Sequence, residues 1–359
     1  MQSNCIYLPY SSTGYFSKIV IDYLQQDEKL KSFFTHPLSL KGIENAIENK
    51  KSFAHRSVLT EQLQLQYEGI AQSGKLSSNI QLLSKQNTFT ITTAHQPNIF
   101  LGPLYVIYKI LHTIKLANEL TVLMPQHNFV PVFYMGSEDA DIDELGNITI
   151  DSKKYEWQTK QTGAVGRMKV DKAFRKLIEE MQSQLAVQEH GAEIITIFKT
   201  AYTEGKTIQQ ATLELINILF GEYGLVVLIP DNAVLKKIFQ PIAEKELKEQ
   251  FSHKAAEITI QQLGKLYKVQ AGGRELNLFY LIDDKRERIE VFSFQSSVSP
   301  QNSANSFQFS VPGLNVQWKM DEILEELNNH PERFSTNVIL RGLFQETILP
   351  NIAFIGGGG

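Results

Sequence analysis

A single cysteine, Cys5, stands in the 359 residues. Neither an intramolecular disulfide framework nor a cysteine-based zinc site can form from it. There is no surplus of positive charge either: 35 Lys and Arg face 39 Asp and Glu, a formal net charge of −4. That balance argues against wholesale nucleic-acid binding, which shows as a basic domain, though two or three basic residues would still serve a small anionic ligand. No apolar run reaches the roughly 20 residues that span a bilayer. The first thirty residues lack a basic stretch leading into an apolar one, so no secretory leader is expected and the cytoplasm is the expected compartment. The P-loop, G-x-G-x-x-G, H-E-x-x-H and G-x-S-x-G patterns are missing as well, which removes support for standard kinase, dehydrogenase, zincin and α/β-hydrolase readings. No internal repeat is present, and only Ser296 to Ser306, rich in Ser, Gln and Asn, approaches low complexity.

What is present is ordinary globular composition, 42% hydrophobic and 21% charged, in a chain long enough for one large core or two domains. Residues 1–85 read as helices. Phe16, Ile19, Val20, Tyr23 and Leu24 have helical spacing after possible caps at Ser12 and Thr13, and Leu59, Leu63 and Tyr67 recur every fourth residue. No catalytic signature shows there, and His36 and His55 read as structural or solvent-facing. Residues 86–150 change grammar. Phe89 to Ala94 is a short buried strand, Pro103 opens a helix to about Leu120, and Phe129 to Met135 is a second buried strand. This βαβ unit predicts an α/β fold with a right-handed crossover in a parallel sheet.

Residues 151–222 read as an insertion: a polar hairpin, the Gly163 to Met168 turn and two amphipathic helices. Residues 223–262 resume the core with the strand Gly224 to Pro230, ending at Asp231. Residues 263–320 form a second insertion with strands at Leu276 to Ile282 and Arg288 to Phe294. Residues 321–359 hold a helix at Glu322 to Asn328 and a last buried strand, Asn351 to Ile355. Four glycines, Gly356 to Gly359, then close the chain where a further element would be expected, which suggests truncation.

Open α/β sheets bind ligands beyond the carboxyl ends of their strands. His95, Gln96 and Asn98 follow the first strand there, in a loop shaped by Pro97 and Gly102. The helix start near Pro103 and Tyr105 favours an anion, and Lys109 could reach back to it or lie over the core. After the second strand come Ser137, Glu138, Asp139 and Asp141. Carboxylates at that edge could hold a substrate ammonium, hold Mg²⁺ beside a phosphate or act as a base, or merely cap a helix with Asp143 and Glu144. The two loops should face one another. Arg167, in Gly163-Ala164-Val165-Gly166-Arg167, could clamp a phosphate or carboxylate, or sit in a plain turn. Arg274, after Gly272 and Gly273, reads the same way. No metal site is assigned.

TAHQPNIFLGPLYVIYK (Thr93 to Lys109), PVFYMGSEDADIDEL (Pro131 to Leu145), TGAVGRM (Thr162 to Met168) and the run from His330 to the end are long and unusual. In that order they resemble the BshC family, cysteine ligases of bacillithiol biosynthesis, in its Bacteroidetes form. Elsewhere in that family the first loop often reads Gly-Gln-Gln, and His commonly stands where this chain has Ala140. The resemblance implies a Rossmann-like core laid out like class I aminoacyl-tRNA synthetases, with two connecting-peptide insertions and a C-terminal coiled coil, absent here, that makes a homodimer. It implies that cysteine is joined through an amide to the amine of glucosaminyl-malate, with no nucleic-acid or membrane partner. Amide formation from a carboxylate calls for activation, so ATP with Mg²⁺ is the expected driver, through an acyl-phosphate or acyl-adenylate. His95, Gln96 and Asn98 would then stabilise phosphate charge. Glu138 and Asp139 would hold an ammonium or accept the amine's proton, and Arg167 or Lys109 would meet the malate carboxylates. A non-catalytic metabolite- or partner-binding scaffold and a nucleotidyltransferase with another substrate are the competing readings.

Overall fold

The computed structural model describes residues 6–269, 271–293 and 307–357. Its centre is a parallel sheet of four strands: β1 (Thr88–His95), β2 (Asn128–Met135), β3 (Val226–Leu228) and β4 (Asn351–Ile355), in the order β4-β1-β2-β3. The strands are short; β1, β2 and β3 are almost wholly buried, as parallel strands covered on both faces should be, while the edge strand β4 is buried only at Asn351. Period-two alternation divides β1. Phe89 and Ile91 enter a cluster with Ile47, Ala117 and Leu120, while Thr90 and Thr92 lie buried on the other side, Thr90 Oγ1 donating to Asn351 Oδ1 at 3.3 Å. The larger core gathers Val130, Val132 and Tyr134 of β2 with β3 and the first insertion. The fold is the Rossmann-like α/β class that the βαβ reading predicts.

Caps decide where the flanking helices begin. Asn232 accepts from the Leu235 N–H at the start of Ala233–Glu249, and Asn337 from Ile339 and Leu340 at the start of Val338–Ile348. In the N-terminal part, Arg56 is buried under β1 and donates to the carbonyls of Leu83, Gln86 and Thr88, tying Arg56–Gln66 to the strand's first residue.

Several boundaries differ from the sequence reading. Tyr10–Thr13 is a separate helical turn ended by Gly14 at φ 71°, so Ser12 and Thr13 do not cap the next helix, which begins at Lys18. The first insertion holds three helices, not two: Lys172–Leu185, Gly191–Ala201 and Ile208–Phe220, the third opened by a capping box of Thr207 and Gln210. The expected strand from Arg288 is two strands in different sheets, broken at buried Ile289. Lys285–Arg288 pairs with Leu278–Ile282, and Glu290–Ser293 pairs with Phe307–Val311. Phe294 and the Ser296 to Ser306 loop lie outside the described residues. Among the described residues, no helix is long and apolar enough to cross a membrane.

Candidate functional site

The carboxyl ends of β1, β2 and β3 lie side by side, with His95 opposite Met135 and Tyr134 opposite Leu228. The Gly136 N–H donates to the His95 carbonyl at 2.8 Å, so the loops after β1 and β2 adjoin. After Asn98 the first loop turns through three consecutive left-handed residues, Phe100 (φ 56°), Leu101 (φ 68°) and Gly102 (φ 56°). Such backbone is strained for Phe and Leu and persists only where surroundings hold it. The insertion does so: the Phe100 N–H donates to the Tyr202 hydroxyl at 3.1 Å, and its ring packs among Phe174, Phe198 and Tyr202. Gly102 is required twice over, because a Cβ there would lie 2.7 Å from the Asn98 Cβ.

His95, Asn98, Gly102 and Tyr105 line a mostly apolar cleft of about 730 Å³ together with Phe198 and Leu219. Asn98 is buried, its Oδ1 is sealed from solvent, and its side chain lies beside the His95 imidazole. His95 meets the Tyr105 ring edge-on at 5.3 Å between centroids. Burial, helped by the neighbouring Lys109 ammonium, pushes the imidazole down to about 4, so it is neutral at physiological pH. Lys109 donates to the Ala94 carbonyl at 2.6 Å and is thereby tied to β1 in place of a free anion contact. The N–H groups of Val106 and Ile107 turn back onto the carbonyls of Pro103 and Leu104, both at 3.0 Å, which leaves this helix start fewer free donors than expected.

The second loop carries the charge. Glu138 accepts from Lys236, which is 5% exposed, lies 3.5 Å from Asp231 Oδ1 and also donates to the Glu332 carbonyl at 2.8 Å. Asp139 is forked by Arg341, with Nη1 3.0 Å from Oδ2, and Arg286 Nη2 stands 3.9 Å from Oδ1. Asp231 is held bidentately by Arg167 at 2.6 and 2.7 Å. Burial works to raise the Asp231 carboxyl, yet Arg167 and Lys236 hold it below the usual carboxylate range. Four cations therefore gather round these three carboxylates, and the Glu332 carboxylate also acts on Arg167. Ser137 is fully buried with its Oγ unpartnered among the described residues, and its carbonyl accepts from Gly166 at 2.9 Å. A Cβ on Gly166 would lie 2.4 Å from that oxygen, so the Gly163 to Met168 turn docks here only through glycine. Asp141 is exposed and stands apart from this cluster. Gln96 adjoins it: a Cβ on Gly136 would lie 3.5 Å from the Gln96 Cα and 3.4 Å from Arg341 Nη1.

Sequence reasoning finds His95, Gln96, Asn98, Ser137, Glu138, Asp139 and Arg167 near this edge, but misses Lys236, Arg286 and Arg341. Lys236 sits one turn into the helix after β3, a position that could have been searched. Arg286 and Arg341 arrive from distant elements with no local signal. Among the described residues no group of three or more His, Cys, Asp and Glu is placed to hold a metal ion, and Glu138 and Asp139 are each paired with a cation of the chain.

Over residues 1–359 the chain matches the family model described as the bacillithiol biosynthesis BshC, N-terminal Rossmann-like domain. The chain belongs to the BshC family. It is 41% identical over 362 residues to a protein of Flavobacterium johnsoniae, covering 100% of this chain and 65% of that protein. It is 37% identical to one of Christiangramia forsetii with the same coverage, and 39% identical to one of Cytophaga hutchinsonii, covering 96% of this chain and 62% of that protein. All three bear the name "Putative cysteine ligase BshC". The chain thus spans at most 65% of the length of these BshC relatives.

Proposed function

We propose that this chain carries the substrate site of a cysteine ligase of bacillithiol biosynthesis, joining cysteine to the amine of glucosaminyl-malate. The observation that carries the reading is the buried carboxyl-edge cluster of four cations and three carboxylates beside a neutral histidine. A buried guanidinium whose hydrogen bonds go only to neutral groups, Arg286, favours an acidic substrate. A neutral imidazole has the lone pair that an attacking amine's proton needs. In this reading the C–N bond forms as the amine attacks the activated cysteine carbonyl carbon, the bond from that carbon to the activating phosphoryl oxygen breaks and the phosphoryl group leaves with the electron pair, and the amine's proton passes to His95. Glu138 and Asp139 hold Lys236 and Arg341 in place instead of binding a substrate ammonium. Gln96 and Asn98 orient the reacting groups.

ATP, when bound, would supply the activation of the cysteine carboxylate. The cleft's size lies in the range of small-molecule sites, and His95, Asn98, Gly102 and Tyr105 would hold it. Glu138 and Asp139 do not suit Mg²⁺, since their charge is already met by Lys236 and Arg341, and no step is assigned to a metal held by the protein.

Thermal unfolding of the chain with each ligand tests the reading. Both glucosaminyl-malate and ATP with Mg²⁺ should raise the Tm. A rise with glucosaminyl-malate alone would make this a binding module, and no rise with either at millimolar concentration would reject the site.

A further inference from the structure

Arg286 is the cation of this cluster that has no carboxylate within hydrogen-bond distance among the described residues. It projects from Lys285–Arg288, the second strand of a hairpin in the second insertion, and its side chain is 8% exposed. Nε donates to Ser335 Oγ at 3.2 Å and Nη2 to the Thr336 carbonyl at 3.0 Å, while the guanidinium lies 3.9 Å from the centroid of the Phe279 ring. All three partners are neutral. Its carboxylate neighbour, Asp139 at 3.9 Å, is already forked by Arg341. Lys236 and Arg167 are matched by Glu138 and Asp231. The guanidinium left with only neutral hydrogen-bond partners is therefore Arg286, beside Arg341.

Taking a guanidinium out of water costs several kcal/mol, and neutral acceptors repay only part of it. A fixed, desolvated fork is the device that recognises planar and tetrahedral oxyanions. Arg341 keeps 27% of its side chain exposed, so the pair opens to solvent on that side.

We propose that Arg286 and Arg341 together bind an oxyanion of the substrate, a carboxylate or a phosphate, and that the hairpin bearing Arg286 sets which acidic substrate the site accepts. This rests on the preceding reading only in placing the substrate at this edge. Calorimetric titration of the chain with L-malate, and separately with inorganic phosphate, tests it and tells the two sources apart. The wild-type chain should bind one of them, and Arg286→Met should weaken that binding by about thirtyfold or more, the loss expected when one partner of a buried charged pair is truncated. Arg286→Lys keeps the charge but not the fork. It should still weaken binding several-fold, and it decides the matter if the Met variant fails to fold by circular dichroism.

Binding of both probes within twofold of wild type in the folded variants overturns the proposal, as does a wild-type chain that binds neither at millimolar concentration. Arg286-dependent binding without any ligation would refute the ligase reading alone. Ligation with a KM for glucosaminyl-malate unchanged in Arg286→Lys would refute this proposal alone.

Discussion

Replacing Lys236 by Met should destabilise the chain by about 3–5 kcal/mol, the usual cost of leaving one member of a buried ion pair behind. The structure sets the terms of that figure. Lys236 is 5% and Glu138 7% exposed, so neither charge can turn to bulk water. Met fills the space of the lysine stem, so no large cavity adds to the loss. Glu138 loses its cation partner and the Glu332 carbonyl loses a donor, whereas Asp231 keeps both hydrogen bonds from Arg167. Glu138→Gln should cost less, roughly 2 kcal/mol, because the Lys236 ammonium retains Asp231 at 3.5 Å. The double variant buries no unpaired charge at this position and should cost about 2–4 kcal/mol instead of the additive 5–7, giving a coupling of about 3 kcal/mol. Urea denaturation of the four chains measures the cycle. A Lys236→Met chain within about 0.5 kcal/mol of wild type, as for an ordinary surface substitution, or strictly additive losses, would refute the pairing.

Three further outcomes are expected. The His95 imidazole should titrate near pH 4 by NMR, and a midpoint near 6.5 would show that burial and Lys109 do not govern it. The sign follows: with the folded value below the unfolded one, the contribution of His95 to stability is fully present above about pH 6.5 and is lost as pH falls toward 4. Gly102→Ala should cost about 1–3 kcal/mol, from the left-handed backbone and the approach to Asn98, and a neutral effect in thermal melts would mean the loop relaxes freely. Arg56→Met strips donors from three carbonyls and should cost about 2–4 kcal/mol by urea denaturation. A loss under 1 kcal/mol would show the anchor to be dispensable.

The core strands were legible because burial on both faces writes itself as a short apolar or β-branched run, as in Phe89 to Ala94 and Phe129 to Met135. The site's loops were legible because they follow those strands directly. The boundaries that failed turn on single residues: Ile289 divides two strands that belong to different sheets, and Thr207 with Gln210 starts a helix where no periodicity changes. The cation set was illegible for a different reason. Arg286 and Arg341 lie 147 and 202 positions from Asp139 in sequence or reach it through separate elements, and only tertiary packing tells a buried guanidinium from the many exposed ones. That packing also changes roles. Arg167 was expected to meet a ligand, but its fork is occupied by Asp231, and Glu138 and Asp139 are paired within the chain.

In the proposed function this carboxyl edge is the substrate site of a cysteine ligase, with His95 receiving the amine's proton. Mass spectrometry of the complete protein incubated with cysteine, glucosaminyl-malate, ATP and Mg²⁺ tests it most directly. We expect an ATP-dependent amide product in which one water has been lost, formed about 100-fold or more slowly by His95→Ala. No product from the wild-type protein, or product formed at an unchanged rate by His95→Ala, would contradict it.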